Sequence, residues 1–429
     1  MNKIYTEPSP SEWEAITARP VMHLAALEEI VKPILQQVQN EGDVAVRKYA
    51  LQFDGSVPPE FKIPETDINN AGELLSAELK EAIQLAQKNI YTFHRAQLQS
   101  VTKIETMPGV TCWRKPIALD AVGLYIPGGS APLFSTLLML AIPAQIAGCK
   151  NIMLCTPPGK DGNIHPAILY TASLLGLKNV FGIGGVQAIA AMAYGTESVG
   201  RVNKIFGPGN QYVTCAKQIV NRQGVAIDMP AGPSEVLVYA DETALPAFVA
   251  ADLLSQAEHG EDSQVVLLAK NIQILYDVQK ELEKQLSVLP RKQIAEKALM
   301  HSRWVVLQNE DIAFDFINEY APEHLIIASN HAEALADKVR NAGSVFLGNF
   351  SPESVGDYAS GTNHTLPTNG YAKAYSGVSV DSFIRQITFQ HLTSQGICNI
   401  GPAVEAMALT EGLQAHKEAV TIRLKNLKD

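Results

Sequence analysis

Hydrophobic residues in the middle of the chain alternate between two kinds of spacing. Short apolar runs, typical of buried strands, are followed by longer stretches with the three-to-four-residue spacing of helices. The alternation begins with the run at 122–126, restarts at Glu235 and ends with the run at 344–347. Repeated strand–helix units predict parallel sheets covered by helices. We therefore predict an α/β fold with two doubly wound, Rossmann-like modules.

The segments that flank these modules have their own patterns. Helical spacing, alternating strands or turn-forming residues dominate each of them in turn. They predict a polar N-terminal arm over 1–22, helices over 22–54 and 70–98 with a break near Gly42, two strands over 102–117, loops over 349–380 and helices from His391 onward.

Composition excludes several classes of protein. A chain of 429 residues with 46% hydrophobic and 18% charged residues is typical of a globular protein of two or three domains. The formal charge of -10 argues against nucleic acid or an anionic membrane as the main partner. The uncharged segment 121–149 is interrupted by proline and glycine, so we do not expect it to span a membrane.

The cysteines and the N-terminus bear on the compartment. Five cysteines are scattered along the chain without C-x-x-C spacing, which indicates a reducing environment. The N-terminal segment carries Glu7, Glu12 and Glu14 and lacks the apolar core of a secretory signal peptide. We therefore expect a cytoplasmic protein.

Glycine-rich turns follow several predicted strands of the first module, and each leads into a helix. Backbone N–H groups and a helix N-terminus at such a turn favour an anion such as a pyrophosphate. No turn is a complete G-x-G-x-x-G, and no acidic residue stands where a ribose would usually be bound. Glycine at these joints also serves purely steric needs, so nucleotide binding and a structural role both remain open. The turns are Tyr125-Ile-Pro-Gly-Gly129, Gly182-Ile-Gly-Gly185 and Phe206-Gly-Pro-Gly-Asn210.

Gln256 and His259 stand at the end of an apolar helical run at 246–254. Residues three apart lie on one face of a helix, so the amide oxygen and the imidazole would form half of a metal site. A simple helix cap is the alternative. Gly260 follows directly, which predicts a helix end in the left-handed conformation.

Glu323 and His324 follow Pro322 at the entry to a predicted strand over 325–328. A carboxylate beside an imidazole suits acid–base chemistry near neutral pH. A surface salt bridge is the alternative. Doubly wound folds bind ligands at the carboxyl ends of their strands, whereas this pair lies at an amino end, so standard geometry does not favour a site here.

Two further polar clusters lie near the C-terminus. The loop 351–364 contains no lysine or arginine, and it offers Asp357 as an oxygen ligand and His364 as an imidazole. Glu411 and His416 lie in a helical region. A solvated loop and an exposed helix face are the alternative interpretations.

Eight motifs, in order along nearly the whole chain, resemble those of the histidinol dehydrogenase family. They are Tyr125-Ile-Pro-Gly-Gly-Ser-Ala-Pro, Phe206-Gly-Pro-Gly-Asn, Asp228-Met-Pro-Ala-Gly-Pro-Ser-Glu, Leu254-Ser-Gln-Ala-Glu-His-Gly, Pro322-Glu-His-Leu, Gly343-Ser-Val-Phe-Leu-Gly, Gly356-Asp-Tyr-Ala-Ser-Gly-Thr-Asn-His and Leu413-Gln-Ala-His.

The resemblance implies a zinc enzyme that oxidises L-histidinol to L-histidine in two NAD-dependent steps through L-histidinal. It implies that His324 removes the hydroxyl proton and that Glu323 activates the water that attacks the aldehyde. The remaining positions fall into three implied groups. The first group is the zinc ligands, Gln256, His259, Asp357 and His416. The second group contacts the substrate and consists of these four ligands, Glu323 and His324, and in addition Ser234, His364 and Glu411. The third group contacts the nucleotide and consists of Tyr125, Gln187 and Asn210.

The resemblance also implies a homodimer with shared active sites, in which His416 serves the metal of the neighbouring subunit. Together with the patterns above it predicts four parts of the chain. They are an N-terminal arm, 1–22; a discontinuous metal- and substrate-binding α/β domain, 23–122 and 234–375; a nucleotide-binding α/β domain, 123–233; and a C-terminal dimerisation segment, 376–429.

Three other functions compete with this interpretation. A zinc hydrolase could use the same ligands with Glu323 as base, but it leaves the glycine-rich turns without a role. A ligand-binding protein of paired α/β lobes leaves the clusters of Glu, His and Asp unexplained. A dehydrogenase of a related amino alcohol stays open, because substrate choice depends on the shape of the pocket.

Overall fold

A computed structural model describes residues 3–19, 24–55, 57–128, 132–230 and 232–427. The chain forms two compact units. The first comprises Met1–Gln97 and Asp120–Ser382, and the second comprises Leu98–Leu119 and Phe383–Asp429.

The described residues form fourteen strands. In chain order they are β1 (Ile4–Thr6), β2 (Lys103–Met107), β3 (Val110–Ala118), β4 (Ala121–Tyr125), β5 (Asn151–Thr156), β6 (Val180–Gly182), β7 (Lys204–Phe206), β8 (Ala226–Ile227), β9 (Glu235–Ala240), β10 (Gln264–Ala269), β11 (Arg303–Val306), β12 (His324–Ala328), β13 (Ser344–Leu347) and β14 (Ile384–Leu392).

The described α-helices number seventeen. They are α1 (Pro10–Thr17), α2 (Leu24–Glu41), α3 (Asp43–Asp54), α4 (Glu65–Asn70), α5 (Ala77–Arg95), α6 (Phe134–Ala147), α7 (Pro166–Leu174), α8 (Gly185–Tyr194), α9 (Gln211–Arg222), α10 (Pro246–Ala257), α11 (Ile272–Leu286), α12 (Lys292–Met300), α13 (Glu310–Tyr320), α14 (Ala332–Ala336), α15 (Glu353–Tyr358), α16 (Ser394–Thr410) and α17 (Gln414–Asn426). None of them combines the length and the apolar composition that a membrane span requires.

Two parallel sheets dominate the first unit, as the alternating pattern predicts. The larger has the order β1-β11-β10-β9-β12-β13, and the smaller has the order β6-β5-β4-β7-β8. All neighbouring strands in both sheets are parallel. In the smaller sheet the chain starts at the central strand β4, fills one side and then crosses to the other, which is the doubly wound arrangement. The larger sheet follows the same path from β9 onward, and β1 lies at its edge.

The larger sheet is buried on both faces. Every residue of β9 and β10 is buried. Successive side chains of a strand point to opposite faces, so Val236 and Val238 pack into one core while Leu237 and Tyr239 pack into the other. The near-continuous apolar runs in the sequence reflect this double coverage.

The helices between residues 24 and 95 pack on the smaller sheet's side of the unit. α2 contacts α8 and α9, α3 contacts α8, and α5 contacts α6. Side chains of α2 and α3 share one core with Tyr125 and Phe181. The prediction that residues 23–122 accompany the larger sheet therefore differs from the packing of these helices, because their apolar faces are complementary to α6, α8 and α9.

The second unit consists of an antiparallel sheet, ordered β14-β3-β2, and two packed helices, α16 and α17. β14 pairs with β3 over its full length. Exposed apolar side chains are frequent here, among them Ile387, Met407, Leu409 and Ile422.

Most predicted elements are confirmed, including the break at Gly42 and the two strands over 102–117. The pattern missed six elements that are short, exposed or rich in polar residues: β1, α1, α4, α12, α15 and β14. The spacing of apolar residues predicts a helix over 332–341, whereas α14 ends at Ala336. The start of the first helix, at Met22, lies outside the described residues.

Candidate active site

Glu323 and His324 lie at the amino end of the larger sheet, where His324 is the first residue of β12. A cluster of ionisable side chains thus lies at the sheet edge that standard doubly wound geometry does not favour for a site. Two features place the pair. Ala321 ends α13 in the left-handed conformation with φ of 50°, and a methyl group at Gly343 would lie 2.6 Å from the Glu323 carbonyl oxygen. The chain thus turns sharply and enters the sheet with both side chains buried at 5% and 3% exposure.

The Glu323 carboxylate is held by the neighbouring strand. Its Oε2 accepts a hydrogen bond of 2.9 Å from the backbone N–H of Glu235, the first residue of β9. Burial raises the pKa of Glu323 to about 8, against the opposing effect of the His324 charge. A carboxyl group with its pKa near neutral can both accept and release a proton under physiological conditions.

His324 is surrounded by carboxylates. Its Nε2 lies 3.5 Å from Asp357 Oδ1, and its Nδ1 lies 3.7 Å from Glu323 Oε2. Nδ1 also lies 3.4 Å from the backbone carbonyl oxygen of Glu235, to which it can donate. Burial acts to lower the pKa of His324, but the charges of Glu353, Glu323 and Asp357 outweigh it and raise the pKa to about 10. With this raised pKa the imidazole is protonated near neutral pH. It can accept a proton there only when the negative charges of the three carboxylates are neutralised.

Asp357 belongs to the short helix α15, together with Glu353 one turn earlier. Residues four apart share one helix face, so both carboxylates point to the same place. Glu353 is 1% exposed, and burial raises its pKa to about 8. Sequence reasoning missed Glu353, because a glutamate in a Ser- and Gly-rich segment resembles a solvated loop residue. The Glu-x-x-x-Asp spacing was the one available signal.

Gln256 and His259 meet as predicted, although the helix end differs. Gln256 Nε2 lies 3.1 Å from His259 Nδ1. α10 ends at Ala257, and Gly260 is not among the described glycines with positive φ, so the prediction of a left-handed helix end is wrong. A hydrogen-bonded turn carries the chain instead, with the His259 N–H donating to the Gln256 carbonyl.

His364 connects this cluster to the first module. Its Nε2 lies 2.9 Å from Thr136 Oγ1, in the first turn of α6, and its Nδ1 lies 2.7 Å from the Asp357 carbonyl oxygen. α6 starts just after the glycine-rich turn that follows β4. The acid–base cluster and that turn therefore adjoin. Ser234 immediately precedes β9, and its carbonyl accepts from the Gln264 N–H.

Glu411 and His416 lie in the second unit. Glu411 caps α16, His416 is in the first turn of α17, and both are exposed.

The glycine-rich turns of the smaller sheet are held by backbone contacts. The Tyr125 hydroxyl accepts from the Gly185 N–H at 3.0 Å. Gly207 has φ of 120°, and a side chain there would overlap the Tyr125 carbonyl oxygen. A buried Lys217–Asp228 ion pair of 2.5 Å braces this turn, since Lys217 donates to the Gly207 carbonyl and Asp228 accepts from its N–H.

Asp54 is a second residue that sequence reasoning missed. It is the last residue of α3, and its Oδ2 accepts a 3.3 Å hydrogen bond from Gln187 Nε2 in the first turn of α8. Burial raises the pKa of Asp54 to about 6. Gln187 is fully buried, while Asn210 is exposed and caps α9 by accepting from Tyr212 and Val213 N–H groups. A partly buried carboxylate from another helix thus lies next to α8, the helix that follows the turn at 182–185.

The donor set of the acid–base cluster fits a divalent metal ion. One ligand atom from each of His259, Glu353 and Asp357 lies within 4.8 Å of the other two. Among the described residues, several buried oxygens have no hydrogen-bond partner, namely Gln256 Oε1, Asp357 Oδ1 and both oxygens of Glu353. Buried polar atoms are nearly always satisfied, and a cation with nitrogen and oxygen ligands would satisfy these.

Fold and site together define an α/β enzyme of two doubly wound modules, with a buried carboxylate–imidazole pair at one sheet edge. A family model described as histidinol dehydrogenase matches residues 17–424. The chain belongs to the histidinol dehydrogenase family, and it is an oxidoreductase.

Individual relatives agree with this assignment. The chain is 57% identical to histidinol dehydrogenase of Bacteroides thetaiotaomicron over 428 residues, covering 100% of both chains. It is 51% identical to the chloroplastic histidinol dehydrogenase of Arabidopsis thaliana, covering 99% of this chain and 91% of the relative. The crystal structure of histidinol dehydrogenase from Elizabethkingia anophelis superposes with a TM-score of 0.97 at 57% identity, covering 100% of this chain and 99% of the other.

Proposed function

We propose that this protein oxidises L-histidinol to L-histidine through L-histidinal, with NAD as the oxidant and zinc as the metal. One observation carries the proposal. The acid–base pair, Glu323 and His324, lies in the same cluster as the possible metal ligands His259, Glu353 and Asp357. His324 Nε2 lies 3.5 Å from Asp357 Oδ1. A site that must orient a substrate on a metal and move its protons needs both kinds of group side by side.

The proposed zinc ligands are Gln256, His259 and Asp357, with His416 of the partner subunit as the fourth. When bound, zinc supplies orientation, by holding the amino and imidazole nitrogens of histidinol, and positive charge among the buried carboxylates. Ser234, His364 and Glu411 are proposed as further substrate contacts. His364 suits this role because its Nδ1 is committed to the Asp357 carbonyl while Nε2 bonds only to the Thr136 hydroxyl.

His324 is the proposed base for the alcohol proton. With the surrounding carboxylates compensated, its imidazole is neutral and accepts the hydroxyl proton as the hydride leaves for NAD. Glu323 is proposed to take a proton from the water that attacks the aldehyde. The 2.9 Å bond from the Glu235 N–H fixes one carboxylate oxygen, so the other is free to face the water.

NAD is proposed to bind at the glycine-rich turns of the smaller sheet, near Tyr125, Gln187 and Asn210. Asp54 supports this placement, because a carboxylate beside such turns is the group that usually receives ribose hydroxyls. The turns lie at the carboxyl ends of β4, β6 and β7, where doubly wound sheets bind nucleotides.

A homodimer with shared sites is proposed from the second unit. This unit carries Glu411 and His416 together with exposed apolar side chains such as Met407 and Leu409, at 66% and 57% exposure. Clustered apolar exposure marks surfaces that bind another chain. A cytoplasmic location is proposed from the five free cysteines.

A steady-state assay tests the whole proposal. Purified enzyme is mixed with histidinol and NAD, and NADH is followed by its absorbance before and after removal of metal by a chelator. We expect two NADH per histidine formed, loss of activity on chelation and recovery with Zn²⁺. Turnover of a peptide or amide, with no NADH formed from histidinol and NAD, would contradict the proposal and favour a hydrolase.

A further inference from the structure

Glu353 is a buried carboxylate to which the proposed reaction assigns no role. It is 1% exposed, and neither of its oxygens has a hydrogen-bond partner among the described residues. An ionised carboxylate in such surroundings is strongly unfavourable unless a cation or a donor compensates it. The side chain therefore indicates a binding partner that the described residues do not supply as a hydrogen-bond donor.

The position of Glu353 identifies the kind of partner. A ligand atom of Glu353 lies within 4.8 Å of ligand atoms of both His259 and Asp357. Zinc–nitrogen and zinc–oxygen distances of about 2.0–2.2 Å allow two ligands to be about 4.4 Å apart at most. The three side chains thus need only a slight contraction to share one ion.

Charge supports the same conclusion. Glu323, Glu353 and Asp357 bring three carboxylates together, of which Glu323 and Glu353 are buried. The His324 imidazole lies 3.7 Å from Glu323 and 3.5 Å from Asp357. Two of them, Glu353 and Asp357, project from the same face of α15. A divalent cation between these two would neutralise both without disturbing the bond that holds Glu323.

We propose that Glu353 is a metal ligand, which completes with His259 and Asp357 a set contributed by one chain. The unpartnered Gln256 Oε1 adds a fourth donor from the same chain. A single subunit would then bind the ion before the partner's His416 or the substrate reaches it. Glu353 would be the ligand that the partner's His416 or the substrate displaces. This inference rests on the proposed metal dependence of the enzyme. It implies that one subunit can bind the metal without a ligand from its partner.

The test is a metal-affinity measurement on the full-length protein. Apo enzyme competes for Zn²⁺ with a chromogenic chelator, and the Co²⁺-substituted protein gives a visible spectrum that reports the ligand set. Glu353→Gln keeps the shape of the side chain and removes its charge. Since loss of outer-shell partners alone lowers metal affinity about 10–100-fold, we expect Glu353→Gln to weaken Zn²⁺ binding at least about tenfold and to change the Co²⁺ spectrum.

Glu258→Gln is the matched control. Glu258 adjoins His259 at the end of α10 but is not among the possible metal ligands, so its loss changes the local charge without removing a ligand. We expect Zn²⁺ affinity within about threefold of wild type. Circular dichroism and thermal unfolding show whether each variant is folded.

The outcomes separate this inference from the proposed function. Wild-type protein that binds no divalent metal would overturn the proposed function itself. Wild-type protein that binds Zn²⁺, with Glu353→Gln binding it equally well, would overturn only the role of Glu353. The same result accompanied by a changed pH profile of kcat would show that Glu353 acts on His324 and not on the metal. If Glu353→Gln is unfolded, Glu353→Asp must weaken Zn²⁺ binding for the proposal to stand.

Discussion

The two sheets of the first unit carry candidate sites of opposite construction. At the amino end of the larger sheet, side chains from α10, α15 and β12 converge, and several of them are buried charges. At the carboxyl ends of the smaller sheet, the candidate nucleotide site consists largely of backbone and glycine, with Tyr125 and Gln187 buried beneath it.

This difference reflects the tasks proposed for each. A dinucleotide is bound by N–H groups that need only a correct backbone path, which glycine permits. Proton transfer and metal binding need ionisable side chains at defined distances, and their burial is what shifts their pKa values. Substitutions should therefore act through chemistry at the larger sheet and through backbone geometry at the smaller one.

The largest expected effect is that of His324→Asn. A positioned general base contributes about 10²–10⁴-fold to a rate, and asparagine cannot accept the proton. We expect kcat to fall by this factor. Zn²⁺ content should be unchanged, because His324 is not among the proposed ligands. Plasma emission spectroscopy on the same samples gives the metal content.

His331→Asn serves as the control. His331 is exposed and lies beyond the opposite end of β12, so its replacement should leave kcat within about twofold of wild type. Loss of zinc in His324→Asn would contradict the assigned role, since the kinetic defect would then arise from the metal.

A smaller effect, of a different kind, is expected at the smaller sheet. Gly207→Ala places a methyl group against the Tyr125 carbonyl at φ of 120°. The turn must then shift, and we expect the KM for NAD to rise at least about tenfold, since an angstrom-scale displacement at a site can cost as much or more. The KM for histidinol and the Zn²⁺ content should change little.

Gly224→Ala tests whether backbone strain alone, without displacement of neighbouring atoms, changes the KM for NAD. Gly224 also has a positive φ, of 95°, but a methyl group there meets no atom within 4 Å. It should lower stability by about 1–2 kcal/mol and leave the KM for NAD unchanged. If both variants changed that KM equally, a general loss of stability would explain the effect and the turn would have no specific role.

The same comparison explains what could be predicted from sequence. The strand–helix alternation and the glycine turns are local patterns. The spacing of buried side chains and the preference for glycine at a positive φ both depend on residues that are close together in the sequence. The convergence of His259 with Asp357 is not local, and only the family resemblance nominated those positions together.

Three features escaped prediction for a physical reason. Glu353 and Asp54 are single carboxylates in polar surroundings of the sequence, and their burial comes from helices that pack from elsewhere in the chain. The general rule for doubly wound sheets also disfavoured the edge where Glu323 and His324 lie. That rule concerns ligands bound by turns at carboxyl ends, and it does not apply to a site assembled from side chains.

Asp54→Asn gives the smallest expected effect. A carboxylate that accepts hydrogen bonds from the ribose would contribute about 1 kcal/mol at this half-buried position, so its loss should raise the KM for NAD about fivefold at pH 8. Glu60→Gln, which alters an exposed carboxylate in the next segment, should have no effect and controls for the change in surface charge.

The pH dependence sharpens this last test. Burial raises the pKa of Asp54 to about 6, so the carboxylate is ionised at pH 8 and largely protonated at pH 5.5. For a pKa of 6 the ionised fraction at pH 5.5 is about one quarter. If the protonated form binds NAD about fivefold more weakly, as expected for the amide, the KM for NAD of the wild type should rise about 2.5-fold as the pH falls from 8 to 5.5. The amide introduced by Asp54→Asn cannot titrate, so the ratio of the variant's KM to that of the wild type should shrink over the same interval. A ratio that stays constant from pH 8 to pH 5.5 would remove Asp54 from the nucleotide site and leave the smaller sheet with a site made of backbone alone.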